Sequence, residues 1–150
     1  MQRYKDILFI WTPESKDKRN VSSLLSRNLN NGFDNNDGYY KVVVGDHLLY
    51  RYEVLAIMDK GAFGQVVRCL DHKLQAEIAI KINRNSTYDH SSSKTEIAIL
   101  RKLQEGIPVE NKEEQWANQY KERVVEFIDS FFFRNHFVTI ITINTLVPCL

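Results

Sequence analysis

The chain has 150 residues, 43% hydrophobic and 26% charged, with 20 Lys plus Arg against 19 Asp plus Glu and a net charge of +1. That length bounds it to one domain or one lobe of something larger, with enough apolar residues for a core. The near-neutral balance excludes the strong field that recruits nucleic acid or acidic lipid, so neither is expected as a partner.

Two cysteines, Cys69 and Cys149, have no metal-ligand spacing and make no disulfide framework. A reducing, intracellular setting follows as an expectation, in cytoplasm or nucleus. The apolar run at 7–11 is too short for a signal core, and Asp6 interrupts its basic flank. The apolar run from Phe137 contains Thr139, Thr142, Asn144 and Thr145, and is shorter than the ~20 residues of a bilayer span. No membrane segment is expected.

Residues 1–37 read as an extension. The stretch 4–11 suits one short strand or helical turn. The stretch 12–36 is rich in Ser, Asn, Lys and Asp, forms no core of its own, and is expected to pack through Leu24, Leu25, Leu29 and Phe33. Residues 39–44, Tyr-Tyr-Lys-Val-Val-Val, are β-branched and aromatic and predict a strand, which Gly45-Asp46-His47 ends. Strands follow at 50–58 and 65–70, joined as a hairpin with a wide glycine-containing loop. Asp71-His72-Lys73 is a turn, and 77–82 a third strand.

Residues 91–104 predict a helix. Ser93-Lys94-Thr95-Glu96 fits a capping box, and Ile99, Leu100 and Leu103 give an apolar stripe on the side of Glu96. Gly106 and Pro108 end it. The charged stretch 109–123 reads as a surface loop or short helix. Strands at 124–133 and 137–143 flank the turn Arg134-Asn135-His136. The expected body is α+β, a five-stranded antiparallel sheet with one helix on a face.

Chemistry concentrates at Lys60-Gly61-Ala62-Phe63-Gly64-Gln65-Val66-Val67, then Ile78-Ala79-Ile80-Lys81, then Glu96. A glycine hairpin lets backbone N–H groups approach phosphate oxygens closely, though a tight turn needing positive φ gives the same residues. Ile78-Ala79-Ile80-Lys81 is the strand form of Val-Ala-Ile-Lys, in which the lysine reaches nucleotide phosphates; a surface lysine at a strand end is the alternative. Glu96 supplies a countercharge to Lys81, or else serves the helix cap.

With these motifs in this order, the chain resembles the N-terminal lobe of a protein kinase of the dual-specificity tyrosine-regulated (DYRK) family. Asn31-Gly32-Phe33-Asp34-Asn35-Asn36-Asp37-Gly38-Tyr39-Tyr40, Gly45-Asp46-His47 and Tyr50-Arg51-Tyr52-Glu53-Val54 are similar to the homology box before that family's kinase domain. Gly61 to Val67, Asp71-His72-Lys73 and Phe133-Arg134-Asn135-His136 are similar too. The resemblance implies an accessory extension at 1–37, a homology-box strand and turn at 38–49, a kinase small lobe at 50–143 and a divergent tail at 144–150.

It implies ATP as ligand, with Mg²⁺ in the complete fold, and transfer of the γ-phosphate to protein Ser/Thr with tyrosine autophosphorylation. Gly61, Ala62, Phe63 and Gly64 would cover the phosphates. Met58, Val66 and Ala79 would line the adenine site, with Ile141 at the gatekeeper position. Lys81 and Glu96 would be the ion pair, and Leu100 a member of the hydrophobic spine. Asp59 departs from the pattern, replacing the first loop glycine with a carboxylate that repels phosphate. No His-Arg-Asp loop and no Asp-Phe-Gly stands in these 150 residues, so the chain alone is expected to be catalytically incomplete. The alternative reading is a non-catalytic interaction module that binds a kinase or scaffold through the exposed lobe surface.

Overall fold

Six strands form one antiparallel sheet in a computed structural model that describes residues 7–18, 29–105 and 125–143. They are β1 (His47–Leu48), β2 (Tyr52–Gly61), β3 (Gly64–Asp71), β4 (Ala76–Asn83), β5 (Phe127–Phe133) and β6 (His136–Thr142), in spatial order β1-β2-β3-β4-β6-β5. The five strands read from the sequence are β2 to β6, and β1 adds two residues at one edge. A long helix, α2 (Thr87–Glu105), lies between β4 and β5 in the chain, and a short one, α1 (Pro13–Lys18), lies in the extension.

Strand alternation divides the sheet chemically. Ile78, Ile80 and Ile82 are buried together with their cross-strand partners Cys69, Val67, Ile140 and Val138. Tyr52, Val54, Phe131 and Phe133 continue this core, and Tyr40, Leu48 and Leu49 join it from the segment before β2. Burying each such aliphatic side chain is worth roughly 1.5–3 kcal/mol. Residues 79 and 81 on β4 therefore look the other way, toward the site.

The β3–β4 turn is fixed by charge. The Arg51 guanidinium meets Asp71 through two bonds of 2.8 and 2.6 Å, and Asp71 also accepts the amides of Lys73 at 2.9 Å and Leu74 at 3.3 Å. Burial alone would raise the Asp71 pKa, but the Arg51 fork and these amides outweigh it and hold the carboxyl below its ordinary value.

Several expectations are corrected. Residues 39–44 form no strand; Asp34 and Tyr40 make an isolated bridge, and Tyr40 packs into the core as a peg. Val42 packs half-buried against that core, while Val44 is 41% exposed. The β2–β3 loop is tight: Gly61 pairs with Gly64, leaving Ala62 and Phe63 as the turn. Helix α2 starts at Thr87, so Ser93 lies inside it and is no cap. Ser93 is buried, and its hydroxyl accepts from Asn83 Nδ2 on β4. The inward stripe runs through Ser93, Ile97, the half-buried Leu100 and Gln104, while Ile99 is 53% exposed. In the extension, the amides of Leu8 and Phe9 bond the Tyr50 carbonyl, and Trp11 bridges Asp46. Leu24, Leu25, the stop at Gly106 and Pro108, the stretch 109–123 and the tail 144–150 lie outside the described residues, as does the Leu103 side chain.

Candidate functional site

Three elements converge on Lys81. Register places Lys81 on β4 beside Val66 on β3 and Thr139 on β6, and places Ala79 beside Arg68 and Ile141. Directly paired residues share a face, so Val66, Lys81, Ala79 and Ile141 line one surface of the sheet. Ala79 is 5% exposed, and its small side chain leaves a shallow floor. Helix α2 brings Glu96 over that floor: Lys81 Nζ donates to Glu96 Oε1 and Oε2, each at 2.7 Å. The side chains remain 25% and 40% exposed, respectively. An ion pair so open to water adds only ~0–1 kcal/mol to stability, so fold stability does not account for the pair. Glu96 makes the ion pair, and the cap role is excluded because the helix begins nine residues earlier, at Thr87.

The hairpin extends past this floor. Met58, Gly61, Ala62 and Phe63 are exposed, Met58 at 53% and Phe63 at 58%, while Val66 is half-buried. Met58 falls in a register shift between Ile57 and Asp59, so its side chain departs from the regular alternation. The two loop glycines have different reasons. A Cβ on Gly64 would lie 2.4 Å from the Ile82 carbonyl and 2.9 Å from Asn83 Cα, so β3 and β4 could not approach. A Cβ on Gly61 would meet nothing within 4 Å. Among the described residues nothing fills the space beside the Gly61 Cα, which leaves that face of the tip open to a ligand. Asp59 is exposed, and its Oδ1 accepts the Lys60 amide at 2.8 Å.

Beside Glu96, an open hollow of about 440 Å³ runs along α2, lined by Ser91, Ser92, Thr95, Glu96, Ile99 and Leu100. Among the described residues no group of three or more His, Cys, Asp or Glu converges. No helix among these residues is long and apolar enough to cross a membrane.

Sequence reasoning missed the polar residues that brace the site. His136, fully buried, donates from Nδ1 to the Asn83 carbonyl at 2.8 Å, and its Nε2 lies 2.7 Å from Asp34 Oδ1. Asn30 and Asn85 donate to Asp34 as well, each at 2.9 Å. Asn83 thus touches the extension's anchor through His136 and the helix through Ser93. The signal available was the family resemblance of 31–40 and 133–136, which marks both partners without pairing them.

No protein-family model matches the chain. It is 37% identical over 136 residues to the DYRK-family kinase pom1 of Schizosaccharomyces pombe, covering 91% of this chain and 11% of that protein. It is 39% identical over 133 residues to human dual specificity tyrosine-phosphorylation-regulated kinase 3, covering 89% of this chain and 20% of that one. With the human kinase 4 of the same name the identity is 44% over 105 residues, covering 70% and 18%. The chain spans between a tenth and about a fifth of the length of these curated relatives.

Proposed function

The chain belongs, over the segment it spans, to the DYRK family of protein kinases, and on that premise we propose that it forms the small-lobe half of an ATP site. The observation that carries this reading is the Lys81–Glu96 pair, 2.7 Å at both carboxylate oxygens, beneath a glycine hairpin. Glu96 holds the ammonium on the site face of the sheet, where it donates to phosphate oxygens. The exposed tip at Gly61, Ala62 and Phe63 covers the phosphates, and Gly64 allows that hairpin to lie against β4. Ala79, Val66, Met58 and Ile141 receive the flat adenine ring. The residues present fit a nucleotide, whose phosphates would add acceptors to an ammonium that Glu96 already holds in place.

Transfer itself needs groups to hold metal and to take the hydroxyl proton, and no described residue is assigned to either task. The 150 residues alone therefore bind nucleotide weakly and transfer nothing at a useful rate. In the family context the phosphoryl group goes to protein Ser/Thr, with tyrosine autophosphorylation, in the cytoplasm or nucleus. The Cys69 thiol is free and buried, with its pKa pushed up to about 12 mainly by desolvation.

The test is a titration of the purified chain with a fluorescent ATP analogue. Wild type should bind weakly, and Lys81→Met should weaken binding by about tenfold or more, the loss of a charge-assisted contact worth about 1.5–3 kcal/mol. An unchanged titration removes Lys81 from the site. A second reading, a non-catalytic module that binds a kinase or scaffold, is favoured by one feature, the hollow along α2 with Ile99 exposed in it. Loss of partner binding in Ile99→Asp with nucleotide binding intact would support it.

A further inference from the structure

The hairpin tip lacks a third strand. β3 pairs with β4 only as far as Gly64, which sits opposite Asn83, so residues 61–63 project beyond the sheet. A two-stranded arm in water is marginal unless something braces it. Two residues outside the hairpin do so. The Tyr39 hydroxyl donates to the Gly61 carbonyl at 2.9 Å. The Arg84 guanidinium donates from Nη1 to the Ala62 carbonyl at 3.3 Å, and the Arg84 amide donates to the Phe63 carbonyl at 3.1 Å. Three consecutive tip carbonyls are thus engaged by two residues. The Lys60 ammonium lies 4.2 Å from the centre of the Tyr39 ring, and the Arg84 guanidinium carbon 5.2 Å from it.

The braces are themselves held. Asn35 Oδ1 accepts the amides of Asp37 at 3.0 Å and Tyr39 at 2.9 Å. Arg84 Nε donates to the Asp37 carbonyl at 3.0 Å, and the Asn85 amide to the Gly38 carbonyl at 2.9 Å. Segments 37–39 and 84–85 form one saddle under the tip.

We propose that Tyr39 and Arg84 are positioning residues that set the height of the hairpin above Lys81, so that a segment preceding the sheet tunes nucleotide affinity. This rests on the nucleotide reading above; neither residue is assigned a contact with the nucleotide. Hydrogen exchange on the full 150-residue chain reads the brace directly and needs no nucleotide. In Tyr39→Phe, which keeps the ring and loses the hydroxyl, amides at 60–64 should exchange about fivefold faster, while those of β4 and the melting temperature stay unchanged. Arg84→Met should produce a larger acceleration at the same amides. The fluorescent ATP analogue should bind Tyr39→Phe about two- to fivefold more weakly.

Unchanged exchange at 60–64 in both variants overturns the brace. Faster exchange with an unchanged nucleotide Kd overturns the tuning role. A wild-type chain that binds no analogue overturns the nucleotide reading and the affinity claim with it, while the exchange result still decides the brace.

Discussion

Asp59 is in register with Val66, and Val66 with Lys81, so a carboxylate stands two strands away in the same cross-strand row as the ammonium. Phosphate arriving there meets like charge. The carboxylate is exposed, so the repulsion is small, on the order of 1 kcal/mol, and screened by salt. Asp59→Gly should tighten nucleotide binding about threefold to fivefold in dilute buffer, with the gain shrinking toward nothing near 1 M salt. Equal gains at both salt concentrations would mean that the backbone, not the charge, is responsible. Lys81 and Glu96 were legible in the sequence because strand and helix motifs each carry a recognisable spacing. Asn83 and Ser93 were not. Each is unremarkable alone, and only the packing of α2 on the sheet makes a buried pair of them.

Among the elements, β2 to β6 were legible because their apolar residues alternate or run together between turn signals. The segment 39–44 has the same composition but a different use: Tyr40 enters the core and Val42 packs against it, while Val44 stays exposed. The helix was read as starting four residues late and ending one early. Three serines at 91–93 look like a start signal, because serine competes for backbone donors in non-helical conformations. Here the buried Ser93 hydroxyl accepts from Asn83 Nδ2, a tertiary bond that holds it inside the helix. Polar residues at 93 and 104 also hid the true inward stripe, whose last member donates from Gln104 Nε2 to the Phe127 carbonyl at 2.8 Å.

The hairpin gives the sharpest test at this scale. Gly64→Ala pushes a Cβ into the backbone of β4 and should lower stability by roughly 1–3 kcal/mol in urea unfolding. Gly61→Ala meets open space and should stay within about 0.5 kcal/mol of wild type. Its effect falls on nucleotide titration instead. Comparable unfolding losses in both variants would show that the two glycines share one structural task.

For the whole molecule, Asp34 ties the extension to the sheet. It is 3% exposed and engages Asn30, Asn85 and His136, residues from three separate stretches of chain. Asp34→Ala takes the acceptor from Asn85 Nδ2 and His136 Nε2, while Asn30 Nδ2 keeps the Arg134 carbonyl at 2.6 Å; it should cost about 3 kcal/mol, a fall of on the order of 10 °C in melting temperature. A change of a degree or less would show that the extension is merely laid on the lobe. This tie was invisible in the sequence, although both ends resembled family motifs, because composition carries no information on which distant polar groups meet.

The separation of those ends has its own consequence. Asp34 and His136 are 102 residues apart, and Asn135 reaches Asn30 across 105. At ~5–20 residues per second, a ribosome that has made the first partner takes roughly 5–20 s to deliver the second. For that interval Tyr40, Leu48 and Leu49 have no completed surface to lie on, and the newborn chain offers them to any chaperone within reach.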